Sequence, residues 1–187
     1  MMCWIALDRA CRLAHAGHIP AAGATRWRTE ASAIRRFVAE HCWSAKRQSY
    51  DRYPGAEEVD ASLLLPMLLG YGAGGDEERL KATIRRIRAE LGSGPLLHRY
   101  RGDDGLPGQE GAFLACSFWL VDALARLGQA SEAIELMEEL LAHANDVGLY
   151  AEEIDPASGV FLGNFPQGLV HLALINAAVT LQEVAGQ

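Results

Sequence analysis

The chain has 187 residues, half of them hydrophobic, enough for a substantial core in one domain or in part of a larger one. Its net charge of −7 is unevenly placed: residues 1–52 hold nine Lys and Arg against four Asp and Glu (+5), and the remainder eight against twenty (−12). The positive stretch has no dense basic block with interleaved aromatics, so a nucleic-acid partner is not expected, and the acidic remainder suits a solvated surface better than a membrane-binding one.

Helical periodicity begins at residue 1. The first segment, 1–16, sets Trp4 and Ile5 on an apolar face with no Ser, Thr, Asp or Asn ahead of it as a cap. A start inside a helix is expected of a piece of something longer. Its opening MMCWIAL is broken by Asp8 and Arg9 and lacks a basic leader and a cleavage pattern, so it does not read as a secretory signal. The second segment, 25–44, carries Ile34, Phe37, Val38 and Cys42 on one stripe. The third, 60–69, reads DASLLLPMLL and is apolar on nearly every side. The fourth, 76–91, lines up Leu80, Ile84, Ile87 and Leu91 with Arg and Glu opposite. The fifth, 110–127, is mostly apolar; the sixth, 130–144, is amphipathic through Ile134, Met137, Leu140 and Leu141. The seventh, 165–184, is again mostly apolar. No run reads as long enough to span a bilayer, so no membrane partner is expected.

One-sided segments (two, four, six) alternate with segments apolar all round (three, five, seven), as outer and inner helices do. With no fixed repeat period, the pattern predicts an all-α fold: a sector of a helical barrel, in which an inner ring is wrapped by an outer one. Short connections lead from inner to outer helices. The long ones, 45–59, 92–109 and 145–164, lead from outer to inner and therefore gather at one end, above the N-termini of the inner helices.

The third long connection, within 147–167, is the most informative. Structureless loops of that length are uncommon in compact domains. This one has too many aromatic and apolar residues for a solvated linker, and it predicts one wall of an active site. Glu152 and Glu153 sit side by side; taken alone, Glu-Glu after a helix reads more often as a solvated turn than as a catalytic base, but in extended chain the two point opposite ways, so one can face a cavity while the other is structural. The second long connection gathers Arg99, Tyr100, Arg101, Asp103, Asp104 and Glu110 among glycines and prolines. It reads either as a polar turn cluster whose charges pair in water, or as a rim where a guanidinium, an aromatic face and carboxylates bind a sugar. Asp60 and Asn164 open the third and seventh helices as N-caps, Asn164 with Gln167 as a capping box, and Asp60 could also touch a ligand.

The six histidines show no metal spacing, and no GxSxG, phosphate-loop or dinucleotide fingerprint is present. Carboxylates are the acid–base groups on offer, and neither a metal nor a cofactor is expected. Cys3, Cys11, Cys42 and Cys116 form no CxxC pair; they read as buried free thiols in a reducing, cytoplasmic setting.

The segments LYAEEIDPASGVFLGNFPQGLVHLALINAA, GPLLHRYRGDDGLPGQEGAFLACSFWLVDAL, VDASLLLP and MCWIALDRA together resemble the C-terminal portion of bacterial glycoside hydrolase family 15 proteins, which include glucoamylases, glucodextranases and trehalases. The resemblance implies an (α/α)6 barrel, of which residues 1–187 are a partial catalytic domain holding the last seven helices. It implies inverting hydrolysis of an α-linked glucosyl saccharide by two carboxylic acids. The general base falls on Glu152, Arg99 and Tyr100 match the sugar-binding Arg-Tyr, and Glu110 lies near that site. The general acid belongs to a Trp-Glu motif upstream of the helix that opens MCWIALDRA. The partner so implied is the N-terminal half of the same polypeptide, without which this piece is expected to be inactive and prone to aggregate. The alternative is a non-catalytic helical module acting through protein contacts.

Overall fold

The computed structural model describes residues 1–72, 75–102 and 110–186. Seven α-helices make up most of it: α1 (Met2–His15), α2 (Ala24–His41), α3 (Leu65–Leu68, continuing a 3₁₀ turn over Ala61–Leu64), α4 (Glu77–Leu91), α5 (Leu114–Arg126), α6 (Ala130–Leu141) and α7 (Gly168–Ala185). The order and approximate limits are those the periodicity predicts. The third segment is the least regular: the 3₁₀ turn over Ala61–Leu64 runs into a single α-helical turn, Leu65–Leu68, with Pro66 near its start.

Helix α5 is the centre of the core. Leu114 to Ala125 are buried apart from Trp119, and the helix packs against α3, α6 and α7. The amphipathic α4 and α6 turn Leu80, Ile84, Ile87 and Leu91, and Ala133, Leu136, Met137 and Leu140, into the same core. Helices α1 and α2 pair with each other, and Trp4 meets Tyr71 edge-on with ring centroids 5.3 Å apart.

Each of α1, α3 and α5 ends in one and the same turn. Gly17, Gly70 and Gly128 take positive φ (78°, 85° and 78°) just past the helix ends. In each, the glycine N–H and the next N–H donate back to the last-turn carbonyls: Gly17 to Ala14 and His18 to Leu13, Gly70 to Met67 and Tyr71 to Pro66, Gly128 to Ala125 and Gln129 to Leu124. This is the Schellman arrangement, which stops the helix and sends the chain back along it. The short inner-to-outer connections thus have a common physical cause.

Two expectations need correction here. The long connections are not structureless. They carry antiparallel pairs: β1 (Trp43–Ser44) with β2 (Ser49–Tyr50), and β3 (Gly92–Ser93) with β4 (Leu96–Leu97). A three-stranded sheet runs in the order β5 (Ala112–Phe113), β6 (Glu153–Ile154), β7 (Phe161–Leu162). Two-residue strands are too short for alternation to be seen in the sequence. The second correction concerns α7, expected to be buried all round and too short to span a bilayer. Its 18 residues have a mean hydropathy of 1.4, long and apolar enough to cross a membrane by length and composition alone. One side (Val170, Ala173, Ala177, Thr180) packs on the core, while Leu169, Leu172, Ile175 and Val179 are exposed, Leu172 by 61% and Ile175 by 56%. An inner-ring helix is apolar on both sides, and here one of those sides is bare.

The cysteines are free, as expected, but only Cys42 and Cys116 are buried; Cys3 is exposed on α1.

Candidate active site

The site is assembled from the ends of the three long connections. The first ends at Asp60, whose Oδ1 accepts the Ser62 N–H at 2.7 Å, the expected N-cap. The next residue joins it to the second connection, since the Ala61 N–H donates to the Arg99 carbonyl at 2.9 Å. That second connection is fixed from below: the Leu97 N–H donates to the buried Ser117 hydroxyl of α5 at 2.9 Å, and the His98 N–H to the Leu91 carbonyl at 2.9 Å. Arg99 is thereby held over the start of α5, with its guanidinium 4.7 Å from the Tyr100 ring centroid and 5.6 Å from that of Phe113.

Arg99, Tyr100 and Glu110 come together in the structure. Arg99 Nη2 donates to the Tyr100 hydroxyl at 3.0 Å and pairs with the Glu110 carboxylate. Burial opposes the charge on Arg99, but the hydrogen bond and charge of Glu110 outweigh it and hold the guanidinium above its ordinary value. Asp103 and Asp104 lie outside the described residues.

Glu152 stands just before β6 and is pinned through its backbone on both sides. Its N–H donates to the Asn164 carbonyl at 2.9 Å, and its own carbonyl accepts the Leu114 N–H, at the start of α5, at 3.1 Å. Its side-chain Oε2 accepts twice from Asn164, from Nδ2 at 2.7 Å and from the backbone N–H at 3.2 Å. Among the described residues Oε1 accepts no bond. Gly163 makes this approach possible: at φ 72°, a Cβ there would lie 3.0 Å from both Cβ and Oε2 of Glu152. Below, Tyr150 is 1% exposed and meets Phe118 and His171 edge-on, anchoring the connection to the core.

Glu153, the first residue of β6, has a partner different from that of Glu152. Its Oε2 accepts the Gly111 N–H at 2.9 Å. Burial, the largest cause, and the neighbouring Glu110 and Glu152 carboxylates push Glu153 up from the ordinary carboxylate value, against the Gly111 hydrogen bond and the Arg99 charge. The same field links the two halves of the site: Glu110, Arg99 and Glu152 all lie close enough to Glu153 to act on it.

One sequence expectation fails in detail. Asn164 does not cap α7; Gln167 does, its side chain accepting the Leu169 N–H at 3.3 Å, while Asn164 is spent on Glu152. Asn164, Gly163 and Gly111 are what the sequence reading missed. The available signal was glycine beside each functional residue where two backbones must approach closely.

Comparison with known proteins follows from this geometry. A family described as glycosyl hydrolases family 15 matches residues 1–179. Over 182 residues, 96% of the chain, the identity to a trehalase of Mycobacterium tuberculosis is 46%. Over 184 residues, 98% of the chain, the identity to a trehalase of Thermoplasma volcanium is 40%. The chain spans only 26% and 29% of the lengths of those two curated relatives. A solved glycosidase in complex with glucose superposes with a TM-score of 0.74 at 19% identity, over 89% of this chain and 47% of that one, a likeness of fold. The architecture is the helical sector of an (α/α)6 barrel, the fold that the family resemblance implies and that the alternation of inner and outer helices predicts only as a helical barrel.

Proposed function

Because the chain belongs to glycosyl hydrolase family 15, we propose that it is the general-base sector of an inverting α-glucoside hydrolase whose substrate is trehalose. Relatives 40–46% identical to it are named trehalases, and short α-glucans are the next substrates to test. The observation that carries the reading is the presentation of Glu152: one carboxylate oxygen fixed by Asn164, on a backbone tied at both ends.

Such a carboxylate can take a proton from a water held on its remaining oxygen, and that water attacks the anomeric carbon on the face opposite the leaving group. The inverting geometry sets the partner acid roughly 6.5–9.5 Å from the base. That acid is assigned to the preceding part of the longer polypeptide. Arg99, Tyr100 and Glu110 would hold the glucosyl ring, the guanidinium and carboxylate taking its hydroxyls. A base fixed by hydrogen bonds before substrate arrives needs little reorganisation in the transition state.

The second reading, a helical protein-contact module, draws on the bare apolar side of α7. The barrel reading accounts for that side by the helices still to be added. The test uses the chain joined to the unmatched remainder of the Mycobacterium tuberculosis trehalase, termed the completed enzyme below. Glu152→Gln in it should lower kcat on trehalose by at least about 1,000-fold with unchanged folding, as loss of an essential general base does. Turnover within a few-fold of the unsubstituted enzyme would favour the contact module.

A further inference from the structure

Three residues assigned above to substrate or base chemistry, Arg99, Glu110 and Glu152, each have an immediate neighbour in one hydrogen-bonded chain. His98 Nδ1 and the Gly111 carbonyl lie 3.2 Å apart, and the Gly111 N–H donates to Glu153 Oε2 at 2.9 Å. His98 Nε2 lies 3.2 Å from the Ser93 hydroxyl, so the consistent tautomer carries the proton on Nδ1 and accepts from Ser93. His98 precedes Arg99, Gly111 follows Glu110, and Glu153 follows Glu152. Gly111 is therefore braced on both sides, at its carbonyl by His98 of the second connection and at its N–H by Glu153 of the third.

We propose that Glu153 is a positioning residue: through the Gly111 N–H, with His98 bracing the same residue from the other side, it sets the spacing between the Arg99–Glu110 sugar clamp and the Glu152 base. The inference deepens the functional reading above and rests on it.

The packing at Gly111 shows that the contact is built in. A Cβ there would lie 2.8 Å from the Ile154 carbonyl oxygen and 3.2 Å from Glu153 Oε2, so only glycine admits the carboxylate. The strand pairing brings Glu153 there, with Glu153 opposite Phe113 and Ile154 opposite Ala112. What the strut requires of Glu153 is an acceptor oxygen and a fixed reach. A negative charge is not required, and the site does not favour one, since burial and two neighbouring carboxylates already oppose it. Glutamine keeps both the oxygen and the reach.

The test separates positioning from chemistry by rescue. In the completed enzyme, Glu153→Ala and Gly111→Ala should each lower kcat/KM on trehalose by about 100-fold, the scale of an ångström's misplacement of reacting groups. Glu153→Gln should stay within about 3-fold of the unsubstituted enzyme, because the amide oxygen replaces the carboxylate as acceptor. Equal loss in Glu153→Gln and Glu153→Ala would overturn the proposal by making the charge itself the working feature, and full activity in Glu153→Ala would overturn it by making the strut idle. A second measurement needs no turnover: hydrogen exchange at the Gly111 amide should speed up in Glu153→Ala and stay slow in Glu153→Gln. If Glu152→Gln retains activity, the functional reading fails, while the exchange pattern still reports whether the strut exists.

Discussion

At the scale of single residues, the chemistry depends on which partner each carboxylate has. Glu152 is held by Asn164, Glu153 by Gly111 and Glu110 by Arg99, so three acidic groups in one small region have three different partners. Removing the Asn164 amide tests the first of these. Asn164→Ala should leave the backbone bond to Glu152 in place but free the side chain to turn. In the completed enzyme kcat should fall about 10- to 100-fold with little change in KM, the signature of an interaction used in the transition state. A rise in KM at constant kcat would place Asn164 in sugar binding instead. Arg99, Tyr100, Glu110 and Glu152 stood out as charged and aromatic residues in glycine-rich connections, but only the family resemblance, not their composition, gave them expected roles. The sequence hid Asn164, because an Asn just ahead of an apolar helix is also what an N-cap looks like. Only the hairpin register, set by strands two residues long, shows that it faces Glu152.

At the scale of elements, the helices were legible and their connections were not. Inner and outer helices differ in composition over 12 or more residues for most of the chain, long enough for a 3.6-residue period to emerge. The Schellman turns after α1, α3 and α5 were signalled by glycine at 17, 70 and 128. Gly128→Ala should lower stability by about 1–2 kcal/mol in chemical denaturation, since a Cβ in the left-handed region carries that cost and the position is otherwise open. No loss of stability there would contradict the assigned turn.

The contact between α5 and α7 has a pH dependence of its own. Asp122 is 2% exposed; its Oδ1 accepts from Arg126 Nε at 2.6 Å, and Arg126 in turn donates to Thr180 of α7 at 2.8 Å. Burial raises Asp122 above its ordinary value of 3.8, against the opposing bonds to Thr180 and Arg126. The folded protein therefore binds this proton more tightly than the unfolded chain does. The stability linked to it is complete below about pH 3.8 and is lost as pH rises through the folded-state value. Asp122→Asn should accordingly raise the melting temperature near pH 7 relative to its effect at pH 4. A lower melting temperature at pH 7 alone would mean that the carboxylate's ion pair outweighs its burial.

At the scale of the whole molecule, the distribution of apolar surface matches a sector of a ring. Leu169, Leu172, Ile175 and Val179 on α7, and Met2 and Leu13 on α1, remain exposed at opposite ends of the chain. Covering a large aliphatic side chain contributes about 1.5–3 kcal/mol, so leaving several bare favours self-association. Leu172→Ser with Ile175→Ser should make the isolated chain less prone to aggregate and the completed enzyme less stable. If the completed enzyme kept its melting temperature, α7 would not be an inner-ring helix. The sequence pointed to this situation through a helix apolar on both sides; which side lacks cover required the packing of α5 and α6 on the other.

The central claim is that these residues supply the base and the sugar clamp of a trehalose hydrolase whose acid and remaining helices lie elsewhere in the polypeptide. Its most direct test is trehalose cleavage followed by proton NMR, comparing the purified 187-residue chain with the completed enzyme. The account expects no turnover by the chain alone, and cleavage by the completed enzyme that releases one glucose in the inverted, β configuration. Turnover by a monodisperse sample of the chain alone, or retention of configuration by the completed enzyme, would contradict it.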